Sequence, residues 1–262
     1  MSLRVDILRK ESLEDNLKTY EFRPVRTKEE LLDLLRLRYN TWTNEQYLLN
    51  ERNSIHTRLE VDEYDSYSIP IGGFQKIEGH EELVTTGRII TQVKQDFYDS
   101  LFSKVLNDYG DDILWKSYTK QRRQPLIIFE EYLSQIESLL SDYSIDGNYV
   151  EYSRVMNDSK CRGGKILIKT GQVLHAYSKY FLGAKIAFLI CPQDHLNMHI
   201  RLNKIAGQIP ATGIVEHSRV GGNKSIGLYV DLEKFNNNID YSLEVDNIYF
   251  QLKNTGHVTF KI

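Results

Sequence analysis

The chain has 262 residues, long for one domain and short for two, so one enlarged domain with a sizeable core is expected. Hydrophobic residues make up 41% and charged residues 26%, with a net charge of −3. That balance argues against a generic nucleic-acid binder, and no apolar run is long enough to cross a bilayer. The N-terminus, MSLRVDILRKESLEDN, is charged throughout and does not read as a signal peptide. Two cysteines, Cys161 and Cys191, give no disulfide framework, which points to a reduced, cytoplasmic setting.

Residues 1–19 read as a polar arm, ahead of one domain over 20–262. YEFRPVRT (20–27) is a short strand. KEELLDLLRLRYNTWTNEQY follows with helical spacing, placing Leu31, Leu34, Leu35, Arg38 and Trp42 on one face. SYSIPIGGFQKI and ELVTTGRIITQV are strands joined by the turn EGHE. An insertion over about 95–146 holds two amphipathic helices, one with Tyr98, Leu101, Phe102, Val105 and Leu106, the other with Phe129, Tyr132, Leu133, Ile136 and Leu140. NYVEYSRVMN is the next strand, DSKCRGGK leads into a helix over about 165–183, and AKIAFLICP is a buried strand. DHLNMHIRLNKIA is a helix that Asp194 caps. GIVEHSRVG and KSIGLYVDL form a hairpin, and two further strand-like runs close the chain. The order implies a mixed α/β fold with hairpins at the front and a strand–helix–strand unit in the middle.

Arg38 falls on the apolar stripe of its helix. A snorkelling stem would explain it; if the guanidinium is kept from water instead, it needs carboxylate partners, because an unpaired buried charge is costly. The acidic stretch EVDEYDSY supplies Asp62 and Asp65, three apart and therefore on one side of a turn. A solvated acidic loop is the competing explanation for that stretch. Arg88 in TTGRIIT and Arg154 in EYSRVM shift the balance, since each lies in a strand among apolar residues. With Asp62, Asp65 and Glu151 they make a matched set of charges around one cleft.

Glu151 and Arg154 are three apart, so on a regular strand they point to opposite faces. A β-bulge between them would restore a common side and release backbone N–H groups, which beside a carboxylate suit acyl transfer by stabilising an oxyanion.

In this order these residues resemble the acyl-homoserine-lactone (autoinducer) synthases and related N-acyl amino acid synthases of the GNAT N-acyltransferase superfamily. The pattern is Arg38 with Trp42 on an early helix, DEYD at 62–65, Arg88 in TGRII, and EYSR at 151–154, over roughly residues 20 to 220. The resemblance implies a GNAT-like fold, with a central, mostly antiparallel sheet flanked by helices. It implies transfer of a fatty acyl group from an acyl carrier protein or acyl-coenzyme A thioester to a small amine such as an amino acid. The catalytic set would be Glu151 as general base with Asp62, Asp65, Arg88 and Arg154, and the substrate-binding set Arg38, Trp42 and Ser153. Arg162, Gly163, Gly164 and Lys165, just ahead of a helix, would hold the phosphate of the phosphopantetheine. No tightly bound cofactor is implied. The insertion sets the chain apart from the autoinducer synthases, so lactone closure is left open while N-acylation is expected.

Lys116, Lys120, Arg122 and Arg123 in the insertion could meet an acidic carrier protein, or form a solvated helix connection. His195 and His199 have metal-compatible i, i+4 spacing but lack the glutamate of H-E-x-x-H and a third ligand, so no metal is expected. GGNKS at 221–225 is not a P-loop. Two alternatives stand beside the leading one: a coenzyme A-dependent acetyltransferase of another amine, and a non-catalytic module that binds acyl groups or carrier proteins.

Overall fold

The computed structural model describes residues 18–44, 53–54, 58–62, 64–109, 136, 141, 148–161, 164–192, 208–216 and 224–262. In chain order the elements are strand β1 (Thr19–Pro24), helix α1 (Lys28–Asn44), short strands β2 (Asn53–Ser54) and β3 (Leu59–Glu60), strand β4 (Ser68–Ile77) and strand β5 (His80–Ile90). Helix α2 (Asp96–Tyr109), strand β6 (Tyr149–Asn157), helix α3 (Gly164–Tyr180) and strand β7 (Ile186–Pro192) follow. Strands β8 (Gln208–Glu216) and β9 (Lys224–Asp231), helix α4 (Ile239–Thr255) and strand β10 (Val258–Lys261) come last among the described residues. Eight strands form one sheet in the order β10–β1–β4–β5–β6–β7–β9–β8. Every neighbouring pair is antiparallel except β6 and β7, which are parallel and joined through α3, as a crossover must be. The expected mixed, mostly antiparallel sheet flanked by helices is therefore present.

Strand periodicity sorts side chains between two covered faces. On β5, Thr85, Gly87 and Ile89 face α3. A Cβ on Gly87 would lie 3.1 Å from the Leu174 side chain, so glycine lets that helix come close. On the same side Thr85 Oγ1 lies 3.1 Å from Thr170 Oγ1, and the Tyr152 hydroxyl donates to the Leu174 carbonyl at 3.3 Å. Arg88 and Ile90 point the other way, toward α1. That helix starts at Thr27, whose Oγ1 accepts from the Glu30 N–H at 3.2 Å, with Glu29 and Glu30 in the positive first turn. Leu31, Leu34, Leu35 and Arg38 are all buried along it. The carboxylate cluster described below therefore lies between α1 and the β5–β6 part of the sheet.

The end of the chain corrects the sequence reading. IDYSLEVDNIYFQLKNT forms helix α4 and not a strand. Its β-branched and aromatic residues suggested extended chain, yet Tyr241, Val245, Ile248 and Leu252 are buried at helical spacing. The Asn238 side chain accepts from the Tyr241 N–H, and Gly256 closes the helix at φ +74, so both caps were present in the sequence. Only the second run, β10, is a strand. The chain also enters the sheet slightly before the expected domain start, with Thr19 already paired to Lys261.

The α3–α4 side holds a buried histidine. His175 is 2% exposed, its Nδ1 lies 2.7 Å from the Tyr241 hydroxyl, and the Tyr152, Phe235 and Tyr241 rings surround it. Burial pushes its pKa down from 6.5 to about 3. The folded protein thus holds this imidazole neutral where the unfolded chain would protonate it, so stability falls as pH drops from 6.5 toward about 3. Denaturant unfolding should show a loss approaching ~1.4 kcal/mol per pH unit in that window. His175→Gln should flatten the part between about pH 6.5 and 5, above the carboxylate range; equal slopes for the two proteins would remove His175 as the cause.

Candidate functional site

Arg38 is 1% exposed and does not snorkel. Its Nη1 and Nη2 donate to Asp65 Oδ1 and Oδ2 at 2.7 and 3.3 Å, and its Nε and Nη2 engage Glu60 Oε2. Arg88, also 1% exposed, donates from Nη1 to Asp62 Oδ1 at 2.6 Å and Asp65 Oδ1 at 2.8 Å, and from Nη2 to Asp62 Oδ2 at 2.9 Å. Its Nε donates to Ser153 Oγ at 2.8 Å. Arg154 donates from Nε and Nη2 to Glu60 Oε1 at 3.1 and 2.7 Å, and from Nη2 to Asp62 Oδ2 at 2.9 Å. Three guanidiniums and three carboxylates form one continuous, charge-balanced network.

The acidic stretch is shaped for this by its own backbone. Asp65 opens a short 3-10 turn (Asp65–Tyr67). The Asp62 N–H donates to Asp65 Oδ2 and the Tyr64 N–H to Asp62 Oδ1, each at 2.9 Å. Both aspartates are thereby turned toward the arginines, the local habit of Asp in turns. Burial alone would push the Asp62 carboxyl up, but the Arg88 and Arg154 guanidiniums outweigh it and hold the group below its usual range. Glu60 is lowered in the same way, burial being outweighed by Arg154 and Arg38. For Arg88, burial is outweighed by Asp62 and Asp65, and its pKa is raised well above the usual value.

The third acid of the network is Glu60, not Glu151 as the sequence suggested. Glu60 ends β3 two residues before Asp62, and both side chains reach Arg154, so the two share a side. That alternation, E-x-D, was the available signal.

Strand β6 carries a β-bulge, but at Arg154 and Val155 and not between Glu151 and Arg154 as the sequence suggested. Thr86 pairs with Met156 and Arg88 with Ser153, so Arg154 and Val155 together oppose the single residue Gly87. Arg154 has φ +56. The bulge thus lies at Arg154 and just beyond, and it brings that guanidinium to the face that Ser153 occupies. The Arg154 Cζ sits 4.1 Å from the centre of the Trp42 ring, a cation–π contact between two half-buried side chains. Glu151, 1% exposed, lies two residues before Ser153 and so on that same face. Its register neighbours are Ile90 on β5 and Phe188 on β7.

Beside Glu151 the sheet opens. β6 and β7 pair only from Tyr149↔Ile186 to Tyr152↔Leu189, although β6 runs to Asn157 and β7 to Pro192. Among the described residues, the β7-facing backbone of 153–157 lies outside that ladder. On the Glu151 face the flanking wall is apolar: Phe188 is fully buried, edge-on to Tyr149 with ring centroids 5.9 Å apart, and packs with Ile186, Tyr229 and Ile136. An acidic group, a bulged strand, an opened sheet and an apolar wall therefore adjoin each other.

Gly164 and Lys165 form the first turn of α3; Arg162 and Gly163 lie outside the described residues, as do the basic stretch 115–125, His195 and His199, and all but Ile136 among the core positions expected for the second inserted helix. The first inserted helix is α2, with Tyr98, Leu101, Phe102 and Val105 buried. Among the described residues no group of three metal-ligating side chains occurs, and no helix is long and apolar enough to cross a membrane. Cys161 and Cys191 are free thiols, and burial pushes Cys191 up to about 12, far from a reactive thiolate.

No protein-family model and no curated protein matches the chain. Solved structures do. The chain is similar to FeeM, an N-acyl amino acid synthase from uncultured soil microbes, with a TM-score of 0.54 at 13% identity over 83% of this chain and 94% of that one. It is also similar to BjaI, a CoA-dependent acyl-homoserine lactone synthase solved with SAM and isopentyl-CoA (0.51, 13%, 87% and 88%). A third likeness is to TofI, solved in a ternary complex with an inhibitor and MTA (0.50, 10%, 87% and 96%). The chain has a GNAT-like fold, shared with these three structures at low identity.

Asp65 receives two guanidiniums in the interior, so Asp65→Asn should destabilise by about 3–5 kcal/mol in denaturant unfolding, through charges left without a counter-ion. Lys160→Ala removes only an exposed bridge to Glu82 (3.6 Å) and should change stability by less than ~0.5 kcal/mol. Equal, small effects for both would mean that the interior network does not hold the fold.

Proposed function

We propose that the chain is an N-acyltransferase. It moves a fatty acyl group from a phosphopantetheine thioester, carried on acyl carrier protein or coenzyme A, to the amino group of a small amine such as an amino acid or derivative. The observation that supports this most is the position of Glu151: buried, on the network face, and one residue before the last β6–β7 pair of a GNAT-like sheet.

Aminolysis of a thioester needs a neutral amine, a polarised carbonyl and a place for negative charge to develop. Glu151 takes a proton from the acceptor ammonium, through water, so that the nitrogen lone pair can attack the carbonyl carbon. The N–C bond forms, negative charge moves onto the carbonyl oxygen, and backbone N–H groups of β6 beyond its ladder with β7 receive it. The oxyanion collapses, the C–S bond breaks, and the leaving thiolate takes up the proton that the attacking nitrogen gives up, leaving a neutral amide and a free thiol. Phe188 and its neighbours exclude water and line the way for the acyl chain. Helix α3 packs against the opposite face of β5 through Leu174 and takes no part in that lining. Gly164 and Lys165 at the start of α3, with Arg162 and Gly163 before them, hold a phosphate of the donor.

The network residues then act as a frame. Arg38 and Arg88 give their donors to carboxylates and to Ser153, so their role is to fix β6 relative to α1. Trp42, stacked on Arg154, borders the acceptor side.

Glu151→Gln should keep the fold and lower thiol release from a long-chain acyl thioester, with an amine present, by ~100-fold. Near-normal release by the variant would remove Glu151 from the mechanism. Consumption of acetyl-coenzyme A alone would favour the acetyltransferase alternative.

A further inference from the structure

We propose that Glu60 is a positioning residue: it holds Arg154 in the left-handed backbone conformation that makes the β6 bulge, and through the bulge it sets the direction of the N–H groups beside Glu151. The first residue of a bulge of this kind is usually glycine, because a side chain at positive φ crowds its own carbonyl. Here the position is occupied by arginine at φ +56. Something must offset that cost, and the contacts of Arg154 show what does.

Both Nε and Nη2 of Arg154 converge on the single oxygen Glu60 Oε1, at 3.1 and 2.7 Å. The other Glu60 oxygen is held by Arg38 from α1. Glu60 is itself 3% exposed, at the end of a two-residue strand, and cannot follow Arg154 if the backbone relaxes. A return to extended φ would carry the guanidinium toward the other face of the strand and break the pair. Asp62 Oδ2, at 2.9 Å, and the Trp42 ring complete the cradle. Glu60 therefore links α1 to the one positive φ of β6, at the point where β6 has parted from β7. It touches no reacting atom. The purpose assigned to the bulge rests on the acyl-transfer reading; the latch itself does not.

Two comparisons test it. Glycine accepts positive φ without a latch, so Arg154→Gly should keep the bulge while Arg154→Ala strains it. Thiol release from a long-chain acyl thioester should be about fivefold faster in the glycine variant. Glu60→Gln should lower kcat in the wild-type background with little change in KM for the donor, yet add less than twofold in the Arg154→Gly background, because there is no latch left to lose. Backbone chemical shifts at residue 154 give a readout free of activity: left-handed in the wild type, moving toward extended in Glu60→Gln. Losses that multiply across the two backgrounds, or unchanged shifts at 154, would overturn the proposal. If Glu60→Gln does not fold, equal rates for Gly and Ala at 154 overturn it alone. Should the wild type consume no thioester while the shifts still move, the latch stands and the acyl-transfer reading falls.

Discussion

A protein interior accepts a charged arginine at tolerable cost only beside a counter-ion, and this fold buries two, Arg38 and Arg88. Both are tolerated because an acidic stretch is brought between them. The arginines sit on three separate elements: α1, β5 and β6. The carboxylates come from one short segment, 60–65. The segment thus acts as a clasp, and the positions of α1 and of the two central strands follow from satisfying it. Hydrophobic residues would have packed the same space with less risk. The network instead makes the arrangement specific, since any slip of one element leaves a charge uncompensated.

That specificity matters most on β6. The strand has to do three things within a few residues: present Glu151 and Ser153 on the α1 face, turn Arg154 to the same face, and leave β7. A regular strand cannot do the second. The bulge can, at the cost of a left-handed arginine, and the network supplies the compensation. On the other side of the sheet the requirements are those of an ordinary core. Gly87 admits α3, Leu174 fills against it, and the neutral His175 lies among aromatic rings. The charged network and the ordinary core thus lie on opposite faces of the same strands.

Much of this could be read from the amino-acid sequence, for a definite reason. Charged residues on apolar stripes are informative because interiors rarely accept them, and Arg38, Arg88 and Arg154 each broke a pattern that was otherwise clear. Asp62 and Asp65 followed as their counter-ions. Glu60 was passed over because a glutamate in an acidic run breaks no pattern; only the i, i+2 alternation marked it. Glu151 was placed on the right strand but assigned to the network, since sequence shows neither where β6 parts from β7 nor which acid is nearer which arginine. The last helix was misread because Ile239, Tyr241, Val245, Ile248 and Phe250 favour strands individually. Their spacing, with Asn238 and Gly256 at the ends, decides for a helix, and packing against α3 makes the choice.

On the function proposed above, an amine meets a thioester beside an acid group that takes its proton. The most direct measurement is mass spectrometry of the products after the purified protein is incubated with a long-chain acyl carrier protein or acyl-coenzyme A and a mixture of amino acids and amines. The account predicts a new amide whose mass equals acyl group plus acceptor, appearing in step with free thiol. Donor recovered intact, with bound acyl carrier but no amide and no thiol, would contradict it and leave a fold that has kept the binding and lost the reaction.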